Sequence, residues 1–213
     1  MRIKLLTAAL LASGIASAAT PVDGWYTSLF GGYSYFPSNI RVNDEFGLLR
    51  DGSGYRGGYN AGGRIGYQSN PIRYELEYTY MNSDTTQFDI VFVPQLGVTG
   101  DITTNMLMAN IYYDFPEMLP AIFPFLGAGI GYAHVEAELN SLGPNGVTFF
   151  NPTTNSFAYQ GTAGITYNFA ENYAVNLSYR YAATGKTSEF GKVIQMHLAN
   201  AGVIYRFDYG NYK

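Results

Sequence analysis

Residues of unlike polarity alternate along most of the chain from Gly24 to Phe207. In NAGVIYRF (200–207), Ala201, Val203, Tyr205 and Phe207 alternate with Asn200, Gly202, Ile204 and Arg206. Strict alternation predicts a strand with two different faces. Eight segments carry the pattern, roughly Gly24–Phe36, Tyr59–Gln68, Arg73–Met81, Ile102–Phe115, Phe125–Ala137, Phe157–Phe169, Tyr173–Tyr181 and Val193–Phe207. None has the 3.6-residue period of an amphipathic helix. The connections after the first, third and fifth segments run to about 20 residues, and the one after the seventh to about ten. Those after the second, fourth and sixth are short: SNP around Pro71, PEMLPAIFP, and AEN. This predicts an all-β, eight-stranded antiparallel up-and-down barrel across a membrane, with long extracellular loops and short periplasmic turns. The segments are long enough, since a tilted transmembrane strand needs about 9–11 residues.

The two faces sort by chemistry. One carries Trp25, Leu29, Tyr33, Tyr74, Leu76, Tyr78, Leu107, Ile111, Tyr113, Leu126, Ile130, Tyr132, Ile165, Tyr167, Leu177, Tyr179, Val203, Tyr205 and Phe207, without a charge. Its aromatics cluster toward the short-turn end and again toward the long-loop end, with aliphatics between. Two aromatic girdles around an aliphatic belt fit the two interfaces of a bilayer. The other face carries Ser28, Arg64, Glu75, Glu77, Asn110, Asp114, Gln160, Thr162, Asn176, Arg180, Asn200 and Arg206, with glycines between them. The apolar face is therefore expected in lipid and the polar face in the lumen. A soluble sandwich would have to bury all those tyrosines and leave small polar residues outside.

The N-terminus sharpens this picture. MRIKLLTAALLASGIASAA has a basic start, an apolar stretch and a small-residue exit at Ala16-Ser17-Ala18. This predicts a cleaved signal peptide over residues 1–19 and a barrel domain over 20–213. The apolar run is shorter than the ~20 residues of a membrane-spanning helix. With Arg2 and Lys4 removed, ten basic residues face 16 acidic ones, a net charge near −6. That balance argues against nucleic acid, which calls for a basic face. The chain has no cysteine, so it has neither disulfides nor a thiolate metal site. Only 13% of residues are charged. A typical chain has about 25%, so something other than water should cover much of the surface.

The stretches DGWYTSLFGGYSY, GGRIGYQSNPIRYELEYTY, LMANIYYDF, PFLGAGIGYA and NAGVIYRF resemble small eight-stranded outer-membrane barrels of Gram-negative bacteria. The similarity is to opacity-like surface antigens and the transmembrane domain of outer membrane protein A. It implies an outer-membrane location and a final strand read by the barrel-assembly machinery, with Asn200, Gly202, Tyr205 and Phe207 matching the spacing of that signal. The DYGNYK tail departs from the pattern, because the signal usually ends at the final aromatic.

Inside the barrel, three bases (Arg64, Arg180, Arg206) and three acids (Glu75, Glu77, Asp114) are expected to pair. Eight strands leave a lumen that side chains fill, and unpaired charge there is costly. A plug of ion pairs is one outcome; a narrow gated pore for ions or small solutes is another. Catalysis at the rim, modifying lipid or peptide, would need a histidine beside an acid and a nucleophile. The only histidines, His134 and His197, fall on the outward face of non-neighbouring strands. No metal-ligand spacing or phosphate loop is present, so no cofactor is expected. The glycines of GYRGGYNAGG and LGAGIGY lie on strands, where they leave room for bulky neighbours across the lumen. The expected role is a structural or adhesin-like surface antigen. Its partners would be outer-membrane lipids, the assembly machinery and a ligand on a host or neighbouring cell. In the loops, FDIVFVPQLGV and GPNGVTFFNPTTN are apolar enough either to pack over the barrel mouth or to form an adhesive patch.

Overall fold

The computed structural model of the protein describes residues 23–37, 56–85, 89–90, 93–94, 99–119, 121–143, 146–150, 153–185 and 193–207. The proposed signal peptide, the loop around Asn43 and the tail after Phe207 lie outside them. Eight long strands dominate: β1 Gly24–Phe36, β2 Arg56–Ser69, β3 Ile72–Thr85 and β4 Thr99–Asp114. They are followed by β5 Ile122–Gly143, β6 Thr153–Asn168, β7 Tyr173–Thr184 and β8 Gln195–Arg206. The described residues contain no helix.

Each strand pairs antiparallel with the next, from β1–β2 through β7–β8, and β8 returns to β1 with Arg206 opposite Tyr26. The sheet is thus a closed eight-stranded barrel. Closure matters because a bilayer offers no hydrogen-bonding partner to an open strand edge. The register also fixes chemistry: Arg64 on β2 stands directly opposite Glu77 on β3. A two-residue turn at Asn70-Pro71 connects these strands, and the Asn70 amide donates to Asp23 Oδ1 at 2.9 Å.

Burial follows the expected parity. β6 alternates exposed and buried almost without interruption, and β8 does likewise. The difference from sequence lies at the loop ends. β3 runs on to Thr85, β4 begins at Thr99 and β5 continues to Gly143. Gly146–Phe150 pairs back on residues 139–143 of β5, and Asp89–Ile90 pairs with Val93–Pro94. Beyond the bilayer the backbone still gains from ladder hydrogen bonds. The side chains there need not alternate, so polarity stops reporting the strand.

Candidate functional site

The outer surface carries the belt. Trp25, Tyr67, Tyr74, Tyr113, Phe115, Tyr167, Phe169, Tyr173, Tyr205 and Phe207 form the turn-side girdle, and all are exposed. Their rings touch in chains, with Tyr173 to Tyr205 at 5.1 Å and Tyr205 to Phe207 at 5.3 Å between centroids. Leu29, Leu76, Leu107, Leu126, Ile130, Leu177 and Val203 form the aliphatic band, where Leu29 is 73% exposed. Tyr33, Tyr132 and Tyr179 are exposed at the loop side. Such a surface calls for an apolar surround such as lipid.

The lumen holds two layers of different chemistry. In the turn-side half a chain of alternating charges runs Asp114–Arg73–Glu75–Arg64–Glu77–Arg180. Arg73 Nε lies 2.8 Å from Asp114 Oδ2, and its Nη1 lies 3.3 Å from Glu75 Oε1. Arg64 Nε bridges Glu75 at 3.6 Å and Glu77 at 2.6 Å. Glu77 Oε1 accepts from Arg180 Nη1 at 2.6 Å and from the Thr79 hydroxyl at 3.0 Å. The Tyr26 hydroxyl donates to Glu75 Oε1 at 2.5 Å, and Gln160 Nε2 donates to Asn110 Oδ1 at 2.7 Å. Glu77 and Arg180 have no solvent-exposed side-chain surface. Both guanidiniums also contact the Phe30 ring, Arg64 at 4.2 Å and Arg180 at 5.0 Å from its centroid.

Two features of this network differ from the sequence expectation. Arg73, placed only as the start of a strand, is buried and joins two acids. Arg206 is buried in the lumen but is not an ion-pair member. Its Nη2 donates to Asn168 Oδ1 at 2.8 Å, and it makes no salt bridge within 4 Å among the described residues. The reason is stoichiometric. Arg73 occupies Asp114, so the buried charges number four guanidiniums against three carboxylates.

The lumen glycines take up the bulk of these aromatics. A Cβ on Gly127 would meet the Tyr112 ring, and one on Gly164 would meet the Phe125 ring.

Toward the long loops the lumen turns mainly apolar, with Ser34, Ser83 and Thr104 interspersed, and the two layers meet where Met108 stands opposite Glu77 and Leu198 opposite Arg180. Met81, Met106, Met108, Met196 and Leu198 pack with Phe36, Ala133, Val135, Ala158, Ala182 and Ile194, all buried. In the sequence this layer shows only as methionines on inward parity, as in NMLMAN (105–110), where an apolar residue departs from the polar pattern that marks the lumen elsewhere.

The residues matched to an assembly signal divide. Tyr205 and Phe207 face outward, and the Phe207 amide donates to the Trp25 carbonyl at 3.0 Å. Asn200 and Gly202 face the lumen. With its amide oxygen turned toward Arg180 Nη2 at 3.2 Å, Asn200 donates to Asn60 Oδ1 at 2.7 Å. A Cβ on Gly202 would approach Asn176 Oδ1 to 2.7 Å. Both therefore have a packing role of their own.

His134 sits two residues beyond the girdle residue Tyr132. Its Nδ1 meets Asn155 Oδ1 at 2.6 Å and its Nε2 meets Glu136 Oε1 at 2.9 Å. These acceptors hold its pKa above the ordinary 6.5. His197 lies against Tyr35 and Tyr181, with Nδ1 2.5 Å from the Tyr179 hydroxyl. Among the described residues no cluster of histidines and acids is disposed to hold a metal.

A closed barrel with a lipid-facing aromatic belt and a filled polar lumen is an integral outer-membrane protein. The chain belongs to the outer membrane protein beta-barrel domain family, which matches residues 5–207. It is 29% identical to outer membrane protein PagN of Salmonella typhimurium over 76% of this chain and 71% of that one. It is 27% identical to RC1281 of Rickettsia conorii, a protein whose name proposes it as an adhesin, over 80% and 72%. Among solved structures, Neisserial surface protein A shares the fold with a TM-score of 0.58 at 19% identity, covering 86% of this chain and 97% of that one. OprG of Pseudomonas aeruginosa shares it at 0.53 and 14%, covering 89% and 100%.

Proposed function

We propose that this barrel is a sealed, non-catalytic scaffold that presents adhesive loops to a host or neighbouring cell. The observation that carries the proposal is the apolar layer around Met81, Met106, Met108 and Met196. A lumen occupied by paired charges and then by bulky buried methionines is a poor route for ions, which supports a sealed cylinder. Activity must then reside outside the cylinder, where the loops are. The relative named as an adhesin supports this reading. Whole bacteria displaying the chain should adhere to cultured host cells more than the parent strain does, and replacing the loops with glycine-serine linkers should abolish the gain. Equal adherence of display and parent strains would sink the proposal.

The narrow pore draws support from the charged half of the lumen, but the apolar layer opposes it. Planar-bilayer recordings should show no conductance. A rim enzyme is opposed by His134, the histidine that has an acid beside it. Both its ring nitrogens are engaged, so neither is free to activate a nucleophile.

For assembly, the reading is that a signal peptide over residues 1–19 exports the chain. The machinery then recognises Tyr205 and Phe207 on the closing strand, and lipids cover the belt. Losing the Phe207 ring forfeits about 1.5–3 kcal/mol of burial. A recognition defect would exceed that. Phe207→Ala should therefore cut outer-membrane levels several-fold on fractionation, while deletion of residues 208–213 should be mild. Normal levels for Phe207→Ala would remove the recognition role.

A further inference from the structure

At the turn-side mouth of the lumen, Gln68, Arg73, Asp114, Thr166, Asn168 and Arg206 line a cavity with about 20 Å³ open to a water-sized sphere. That is room for one small species, since a water needs at least about 10–15 Å³ on this measure. The polar groups around the cavity are unbalanced. Gln68 Nε2 and Arg73 Nε both donate to the Asp114 carboxylate. Left without a protein partner are Arg73 Nη2, Arg206 Nε and Nη1, Asn168 Nδ2 and the Thr166 hydroxyl. Each of these is a donor or, for the hydroxyl, can act as one. All four residues are at least nine-tenths buried, with Asn168 1% and Arg206 4% exposed. Arg73 is shared between Asp114 and Glu75, so the lumen's surplus of one guanidinium falls on Arg206, at this cavity.

We propose that this cavity is a binding site for a single monovalent anion of halide size. A buried cation without a counter-charge is unfavourable, and a species that only accepts hydrogen bonds suits a cavity ringed by orphan donors. A water is the competing occupant, since Asp114 and the Thr166 hydroxyl could accept its protons. It would leave the net charge uncompensated. The anion would complete the alternation of charge that runs up the lumen from Arg73 and would tie β8, through Arg206, to β3.

The test uses the folded full-length barrel in detergent or phosphatidylcholine vesicles. Urea unfolding is followed while chloride replaces gluconate at constant ionic strength. Binding to the folded state alone multiplies the folding equilibrium constant by 1 + [L]/Kd, so above Kd each tenfold rise in chloride should shift that constant about tenfold. Arg206→Gln should abolish the chloride dependence while leaving a barrel that still migrates faster unheated than boiled. If that variant fails to fold, bromide-soaked crystals of the unaltered protein decide the matter. An anomalous peak among Arg73, Asn168 and Arg206 supports the site. Equal stability in chloride and gluconate, or density at the cavity without anomalous signal, means that only water occupies it and overturns the proposal.

Discussion

The two halves of the lumen solve the same packing problem with opposite chemistry. Toward the short turns, Arg73, Glu75, Arg64, Glu77 and Arg180 fill the cylinder with paired charge. Toward the long loops, four methionines fill it with flexible apolar bulk. Charge pairs are directional and penalise a slipped register, because a one-residue slip turns every inward side chain outward. Methionines adapt to irregular gaps and specify little. The turn-side half is therefore the part that specifies the barrel, and the loop-side half is the part that seals it.

The largest expected effect is in the charged half. Glu77→Gln leaves Arg64 and Arg180 without their shared carboxylate in a fully buried position. Breaking a buried pair costs about 3–5 kcal/mol in soluble proteins. Urea unfolding in lipid vesicles should show a loss in this range. Replacing the trio together, Arg64→Met, Glu77→Leu and Arg180→Met, should restore much of it, since apolar isosteres can match a buried ionic cluster. A triple variant no better than Glu77→Gln would mean that the charges are not acting as a unit.

Next in size is the apolar half. Met108→Ala should lose about 2–3 kcal/mol as a cavity forms. The more informative readout is conductance. Trimming Met81, Met108 and Met196 to glycine should open a leak to small ions, whereas Glu77→Gln alone should not, because the seal above it persists. Conductance from the charge variant alone would reverse the assignment of seal and register between the halves.

The smallest effect lies outside both halves. His134 donates to Asn155 and Glu136 when protonated, so its pKa is raised above 6.5. The stabilisation from those contacts is fully present below pH 6.5 and is lost as pH rises through the raised value. Its ring protons, followed by NMR, should titrate with a midpoint above 6.5, and Asn155→Ala should move that midpoint down.

The outer belt was legible in the sequence because lipid imposes one rule on every outward position and each strand repeats it. That Arg64 would pair with the acids of the next strand, Glu75 and Glu77, was legible because a short turn fixes the register of its hairpin. Arg73 was not, because it directly follows the turn, where parity is hard to assign. The aromatics Tyr26, Phe30, Tyr112 and Phe125 point inward against the trend. They do so because glycines on facing strands make room for them, a relation that exists only across the sheet. The surplus charge of Arg206 emerges only after Arg73 has taken Asp114. The methionine layer was hidden because apolar side chains on inward parity break the polarity rule that marks the lumen elsewhere.

The β1–β8 seam pairs Tyr26 with Arg206, residues 180 positions apart. Closing so long a segment is entropically mild. Relative to a hairpin spanning about 36 residues it adds only about 1.4 kcal/mol, because the closure term grows with the logarithm of length. Its consequence is kinetic, since contacts of high sequence separation form slowly. It also makes the domain a ring, in which the order of strands along the chain is a convention. A circular permutant that joins the ends beside Trp25 and Phe207 and reopens at Glu171-Asn172 has the same eight neighbours in the same register, with a different pair of strands left to meet last.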